Sequence, residues 1–226
     1  MPNYRYENKF IIDKYTKELL KLKLKGLMKL DSHSLNDEVS YYISSLYFDD
    51  LDYSAYYEKE DGVEYRKKYR IRMYNNDIKT LKLECKYKDE NMTYKKECKL
   101  NEKNYRLLIN DQLDKIKLKD DLYKDFLIDY KLKNLKPSVI VDYERLAYIY
   151  PYSDVRITFD SSIASSKSFD SFLNKDRITN KCVDDNHIVL EVKYNNILPE
   201  HIKMILNEYN LGLSAISKYT LSVDYK

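Results

Sequence analysis

The strands' second face constrains this chain more than any other feature. Segments of period-two alternation recur along most of its length, the pattern of β-strands with two unlike faces. They lie at about residues 4–11, 41–48, 63–74, 80–88, 93–99, 138–149, 155–159 and 187–194, with 218–225 as a further candidate. In an ordinary half-buried strand one face is apolar and the other is simply solvated. Here the second face repeats one chemistry. Arg66, Lys68, Arg70 and Arg72 share a face, since side chains repeat every second residue. Lys82, Glu84, Lys86 and Lys88 oppose Leu81, Leu83, Cys85 and Tyr87. Lys95, Glu97 and Lys99 align, as do Arg156, Thr158 and Asp160. Arg145 lies on the face of Val139, Val141 and Tyr143. Glu191 and Lys193 oppose Ile188, Leu190, Val192 and Tyr194, and Arg5, Glu7 and Lys9 oppose Tyr4, Tyr6 and Phe10.

Between these segments lie helical patterns. Asp13 is placed to cap a helix over about 14–30, with Leu19, Leu20, Leu24, Leu27 and Met28 as its apolar side. Asp52 is placed to cap a short helix through Tyr56 and Tyr57, and Asn101 precedes a helix over 102–109 whose first turn suits Glu102. Leu122, Phe126, Leu127 and Tyr130 predict a helix over about 120–133. Pro199 suits the first position of a helix carrying Ile202, Ile205 and Leu206. Stretches near 31–40, 75–79, 110–120 and 165–186 read as loops within one domain spanning 1–226, and Ser161–Asp185 reads as the best candidate for a mobile segment. Short connections favour antiparallel pairing. The class is α+β, built around a large antiparallel sheet or a barrel with helices packed outside.

A closed barrel lined with these faces would hold a multiply charged anion and its divalent cation. Arginine's planar fork binds phosphate oxygens in bidentate fashion, and carboxylates suit Mg²⁺ or Mn²⁺. Composition narrows the alternatives. With 43% apolar and 14% aromatic residues, 226 residues suffice for a core, which excludes overall disorder. Forty basic and 37 acidic residues leave a net charge of +3, so the chain is no polybasic tail protein. Only three glycines are present, and no glycine-rich phosphate loop exists. Cys85, Cys98 and Cys182 are odd in number and form no C-x-x-C, which argues against a disulfide framework or a zinc site. The N-terminus is polar, and no apolar run approaches the roughly 18 residues that span a bilayer. The expectation is a soluble, cytoplasmic protein, with a membrane partner only in trans. His33, His187 and His201 fit no triad or metal spacing, and most of the 25 tyrosines read as structural.

Tyr6-Glu7-Asn8-Lys9-Phe10, Tyr47-Phe48-Asp49, Lys68-Tyr69-Arg70-Ile71-Arg72, Leu83-Glu84-Cys85-Lys86 and Tyr143-Glu144-Arg145 follow one another along the chain. So do Arg156-Ile157-Thr158-Phe159-Asp160, Leu190-Glu191-Val192-Lys193-Tyr194 and Ser217-Lys218-Tyr219. In this order they resemble the triphosphate tunnel metalloenzymes (the CYTH-like superfamily), and most of all the VTC branch, the catalytic domain of polyphosphate polymerases. The resemblance implies an antiparallel β-barrel forming a charged tunnel, ATP and inorganic polyphosphate as substrates, and Mn²⁺ or Mg²⁺. It implies that Arg70 and Arg72 grip the triphosphate, with Lys86, Arg145 and Glu191 completing the catalytic set. Lys9, Lys68, Lys95, Arg156, Lys193, Ser217, Lys218 and Tyr219 become phosphate-binding residues. Glu191 becomes the metal ligand, with Glu7 and Glu84 as further candidates. A triphosphatase on the same scaffold and a non-catalytic polyphosphate-binding module remain open. Specific nucleic-acid binding is disfavoured by the near-neutral charge and the absence of a binding motif.

Overall fold

The computed structural model describes residues 4–31, 33, 40–117 and 119–224. Its frame is a ring of strands: β1 (Arg5–Ile12), β3 (Tyr41–Asp49), β4 (Tyr65–Tyr74), β5 (Asp77–Asp89), β6 (Met92–Lys99), β7 (Lys136–Ile149), β8 (Arg156–Ser166) and β10 (Ile188–Tyr194). The order around the ring is β7-β3-β4-β5-β6-β1-β10-β8, and β8 pairs back onto β7, closing an antiparallel barrel of eight strands. Two short strands, β2 (Lys29–Leu30) and β9 (Asn180–Lys181), extend β7 and β8. The β4–β5 hairpin turns on Asn75 and Asn76, both at positive φ (51° and 54°). Asparagine tolerates the left-handed region, which lets so glycine-poor a chain make a tight hairpin.

Six helices lie outside the strand wall: α1 (Lys14–Lys25), α2 (Ser54–Glu60), α3 (Glu102–Ile109), α4 (Asp121–Leu132), α5 (Glu200–Asn207) and α6 (Lys218–Asp224). The outward faces of β4, β5 and β6 bury Ile71, Leu83 and Cys98 with Tyr105 of α3 and Phe126 of α4. On the other side Leu20 and Leu24 of α1 and Ile202 of α5 cover Ile157, Phe159 and Leu190. Burial of about 1.5–3 kcal/mol per large apolar side chain is thus spent outside the ring, which leaves the interior free for polar groups. A third cluster lies within, where Val139, Val141, Tyr143, Ile163 and Val189 meet Tyr219 of α6.

The predicted cap holds at Asp13, whose carboxylate accepts from the Thr16 N–H at 2.7 Å, and Asn101 caps α3 in the same way, accepting from the Asn104 N–H. The helix predicted over 14–30 ends at Lys25, and 29–30 instead pair with β7. Asp52 does not cap α2. Asp50 accepts from Ser54, and the buried Asp49 accepts from Ala55 and Tyr56. Pro199 precedes α5 rather than opening it. The strand candidate 218–225 is helix α6 over its described part, because the ring strands are already paired and a helix satisfies its own backbone. Ser161–Asp185 is not a free loop. β8 continues to Ser166, and the buried Arg177 guanidinium grips Asp142 while donating to Ser44 and to the carbonyls of Phe172 and Asn174. The loop expected at 31–40 falls largely outside the described residues. No helix among the described residues is long and apolar enough to cross a membrane.

Candidate active site

The inward strand faces enclose a cavity of about 640 Å³. β4 lines it from end to end with Arg66, Lys68, Arg70, Arg72 and Tyr74. At about 3.3 Å per residue, eight steps make this wall about 26 Å long. Basic side chains outnumber acidic ones more than threefold among the lining residues. A net charge of +3 therefore conceals a strongly positive interior.

Three carboxylate nodes organise these cations. The first is Glu84, fully buried on β5 directly across from Arg70 in the ladder. It pairs with Arg70 at 2.7 Å, Lys95 at 2.9 Å and Arg72 at 3.7 Å. Arg70 also donates to the Tyr47 hydroxyl at 3.0 Å, and Arg72 to Ser45 and to Tyr143 at 3.1 Å. The second node is Asp160 with Glu191. Arg145 meets Asp160 through two bonds of 2.6 Å and Glu191 at 3.4 Å. Lys218, carried in by the first turn of α6, bridges the same pair at 2.5 and 3.2 Å. The third node is Glu7, which takes Lys86 and, at 3.1 Å, Lys193. Lys193 continues to Glu191 at 2.9 Å, and Lys9 lies 3.7 Å from Glu191 and 3.9 Å from Glu7. Lys9 also donates to the Ile216 carbonyl at 3.1 Å.

The predicted site residues are thus gathered in and around one cavity, with distinct settings. Arg156 lies toward one mouth, paired with Asp31 at 2.6 Å and donating to the Tyr41 hydroxyl at 2.9 Å. Lys95 lines the cavity, whereas Lys96 points outward toward Asp125. Ser217 lines the wall at the entry to α6. The Tyr219 hydroxyl donates to Asp49 and contacts Ser138, while its ring lies 4.6 Å below the Lys68 ammonium. Glu7 and Glu191 are joined through Lys193 and Lys9; among the described residues no cation joins Glu84 to either. Sequence reasoning assigned no role to Asp160, although it shares the face of Arg156 and Thr158 and holds Arg145 and Lys218. It also passed over Tyr41, Tyr47 and Tyr143, which orient the arginines. Their positions at strand ends and within the quoted motifs were the available signal.

The electrostatics follow from this pairing. Burial opposes ionisation of Glu84, but Arg72, Arg70 and Lys95 hold it far below the usual carboxylate range. Lys193, Lys218, Lys9 and Arg145 likewise outweigh burial at Glu191, and Lys86, Lys193 and Lys9 do so at Glu7. Asp160 and Glu191 raise the Lys218 amine against the cost of burial. Lys68 differs. Burial pushes it down to about 7, and Arg66, Lys9, Lys59 and Lys86 add to the shift. Among the described residues no carboxylate pairs with it. The arrangement is a preorganised set of donors for a polyanion, charge-balanced within and under-neutralised along β4.

Carboxylate oxygens suit a hard divalent cation. Among the described residues no three of His, Cys, Asp and Glu stand close enough to form a metal site by themselves. Mg²⁺ is commonly held by one or two carboxylates, with substrate phosphates and water completing its shell. Glu191 with Glu7 fits that pattern. The Thr158 hydroxyl, fully buried and opposite Glu191 in the ladder, has no hydrogen-bond partner.

Two solved structures share the fold. A Bacillus halodurans protein provisionally described as an adenylate cyclase superposes with a TM-score of 0.51 at 14% identity, over 98% of this chain and 92% of that one. A Vibrio parahaemolyticus protein with the same provisional description gives a TM-score of 0.51 at 8% identity, over 98% of both chains. At these identities the likeness is one of architecture. No curated protein matches the chain. The VTC domain matches residues 4–225, the extent of the barrel and its helices, and the chain belongs to that family.

Proposed function

We propose that this VTC domain is a polyphosphate polymerase, transferring the γ-phosphate of ATP to the end of a growing inorganic polyphosphate chain. The observation that carries this reading is the convergence of Arg70, Arg72, Arg145, Lys86 and Lys218 on one elongated, basic cavity. Membership of the VTC family, and the resemblance of its motifs to those of triphosphate tunnel metalloenzymes, support the choice of reaction.

Phosphoryl transfer asks for positioning and charge neutralisation more than covalent help from the protein. Arg70 and Arg72, aimed by Glu84, Tyr47 and Tyr143, would bind the triphosphate oxygens. Arg145 and Lys218, braced by Asp160, would take the charge that develops around the transferred group. An oxygen of the acceptor's terminal phosphate forms the new bond to γ-phosphorus. The bond from γ-phosphorus to the β–γ bridging oxygen breaks, and ADP leaves with that electron pair. The acceptor oxygen is already ionised near neutral pH, so no general base is required; none of the three histidines lines the cavity. Glu191, with Glu7, would hold Mn²⁺ or Mg²⁺, which when bound would supply charge neutralisation for the phosphates.

The test is incubation of the purified protein with ATP and Mn²⁺, with and without a short polyphosphate primer, followed by ³¹P NMR. Chain growth with stoichiometric ADP is expected, and its loss in Arg70→Ala and Arg72→Ala. Orthophosphate release without chain growth would replace the polymerase with a triphosphatase. Tight binding without turnover would make the chain a polyphosphate-binding module.

A further inference from the structure

The ladder places three cations in one row at the mouth of the barrel. Arg66 of β4 stands directly opposite Lys88 of β5, Lys88 is opposite Thr93 of β6, and Thr93 is opposite Arg5 of β1. All four line the cavity. Like charges directly opposed across a sheet destabilise it. Deeper in the barrel the same ladder sets Arg70 against Glu84, a complementary pair.

The row is not neutralised. Among the described residues, none of Arg5, Arg66 and Lys88 lies within ion-pair distance of a carboxylate, although Glu64 and Glu90 line the same mouth. Arg66 donates to the Val63 carbonyl instead. The Arg5 Nε is buried and has no acceptor. A buried donor without an acceptor carries a desolvation cost that a bound anion would remove. One level inward Lys68, unpaired among the described residues, stands opposite Lys86, which Glu7 neutralises, so the unneutralised path toward Arg70 runs along β4. Arg66 and Arg70 are four residues apart on one strand, about 13 Å. A triphosphate seated on Arg70 and Arg72 is too short to reach the row.

We infer that Arg5, Arg66 and Lys88 form a second anion subsite, which binds phosphate groups of a long polyphosphate chain beyond those held at Arg70 and Arg72. It makes the protein selective for chain length. The inference rests on the polyphosphate reading above.

Calorimetric titration with tripolyphosphate and with a long-chain polyphosphate tests it, using the wild type, Lys88→Gln, and the triple variant Arg5→Gln, Arg66→Gln, Lys88→Gln. Long-chain affinity is expected to fall about 10- to 100-fold in the triple variant and in part in Lys88→Gln, with tripolyphosphate affinity unchanged. Removal of opposed like charges should leave the melting temperature unchanged or raised. Equal weakening for both anions would merge the row with the inner site and overturn the inference. Unchanged long-chain affinity would overturn it too. If the wild type bound neither anion, the polyphosphate reading itself would fall, and the subsite with it.

Discussion

Glu84→Gln removes one negative charge from a fully buried carboxylate that three cations of the barrel share. Glu84 has no exposed surface, and Arg70, Arg72 and Lys95 all converge on it within 3.7 Å. The amide preserves shape and one acceptor oxygen but leaves the buried cations without their counter-charge. Removing one partner of a buried pair costs about 3–5 kcal/mol. For a chain of this size about 2–4 °C accompanies each kcal/mol, so Tm should fall by about 6–20 °C. Differential scanning calorimetry reads this directly. The same change makes the cavity more positive, so saturating tripolyphosphate should recover more of the lost Tm in the variant than it adds to the wild type. A Tm shift under about 2 °C would refute the view that Glu84 is the counter-charge that fixes Arg70 and Arg72. A large loss with no extra rescue by tripolyphosphate would show that these arginines do not face the anion.

Polyphosphate affinity should fall as pH rises above 7, because Lys68, depressed to about 7 by burial and then by Arg66, Lys9, Lys59 and Lys86, must take up a proton to bind an anion. The slope approaches a factor of ten per pH unit, and Lys68→Arg should flatten it in titrations at pH 6 to 9. Tyr219→Phe removes the hydroxyl that ties α6 to Asp49; a loss of about 1–3 kcal/mol by denaturant unfolding is expected, with lower turnover as Lys218 loses its support. Arg177→Ala strands Asp142 in the core and should cost about 3–5 kcal/mol, with new protease cleavage between 167 and 181 as the specific sign that the strap is released.

The legible part of this protein was the part written in local periodicity. Side chains alternate every second residue whatever the strand's partner is, so the inward sets Arg66-Lys68-Arg70-Arg72 and Glu191-Lys193 could be read from the chain alone. So could the cap at Asp13, where a side chain bonds the backbone three residues on. Segment 218–225 was misread because Tyr219, Leu221 and Val223 alternate as in a strand. Its helical state depends on barrel closure, a property of strands far away in the chain. The Ser161–Asp185 segment looked polar and loose because its anchor, Arg177 on Asp142, spans 35 residues.

The sequence by itself determined which residues face inward and that the interior is basic, because alternation is a property of the extended backbone. Only the tertiary structure decided which carboxylate neutralises which cation. Glu84 lies beneath Arg70 and Arg72, Asp160 beneath Arg145 and Lys218, and Glu191 is joined to Glu7, while the Arg5–Lys88–Arg66 row is left open. Those pairings are set by strand register and ring closure, which bring residues separated by tens to hundreds of positions within hydrogen-bond reach. Coulomb energy depends on such distances, and no local pattern encodes them.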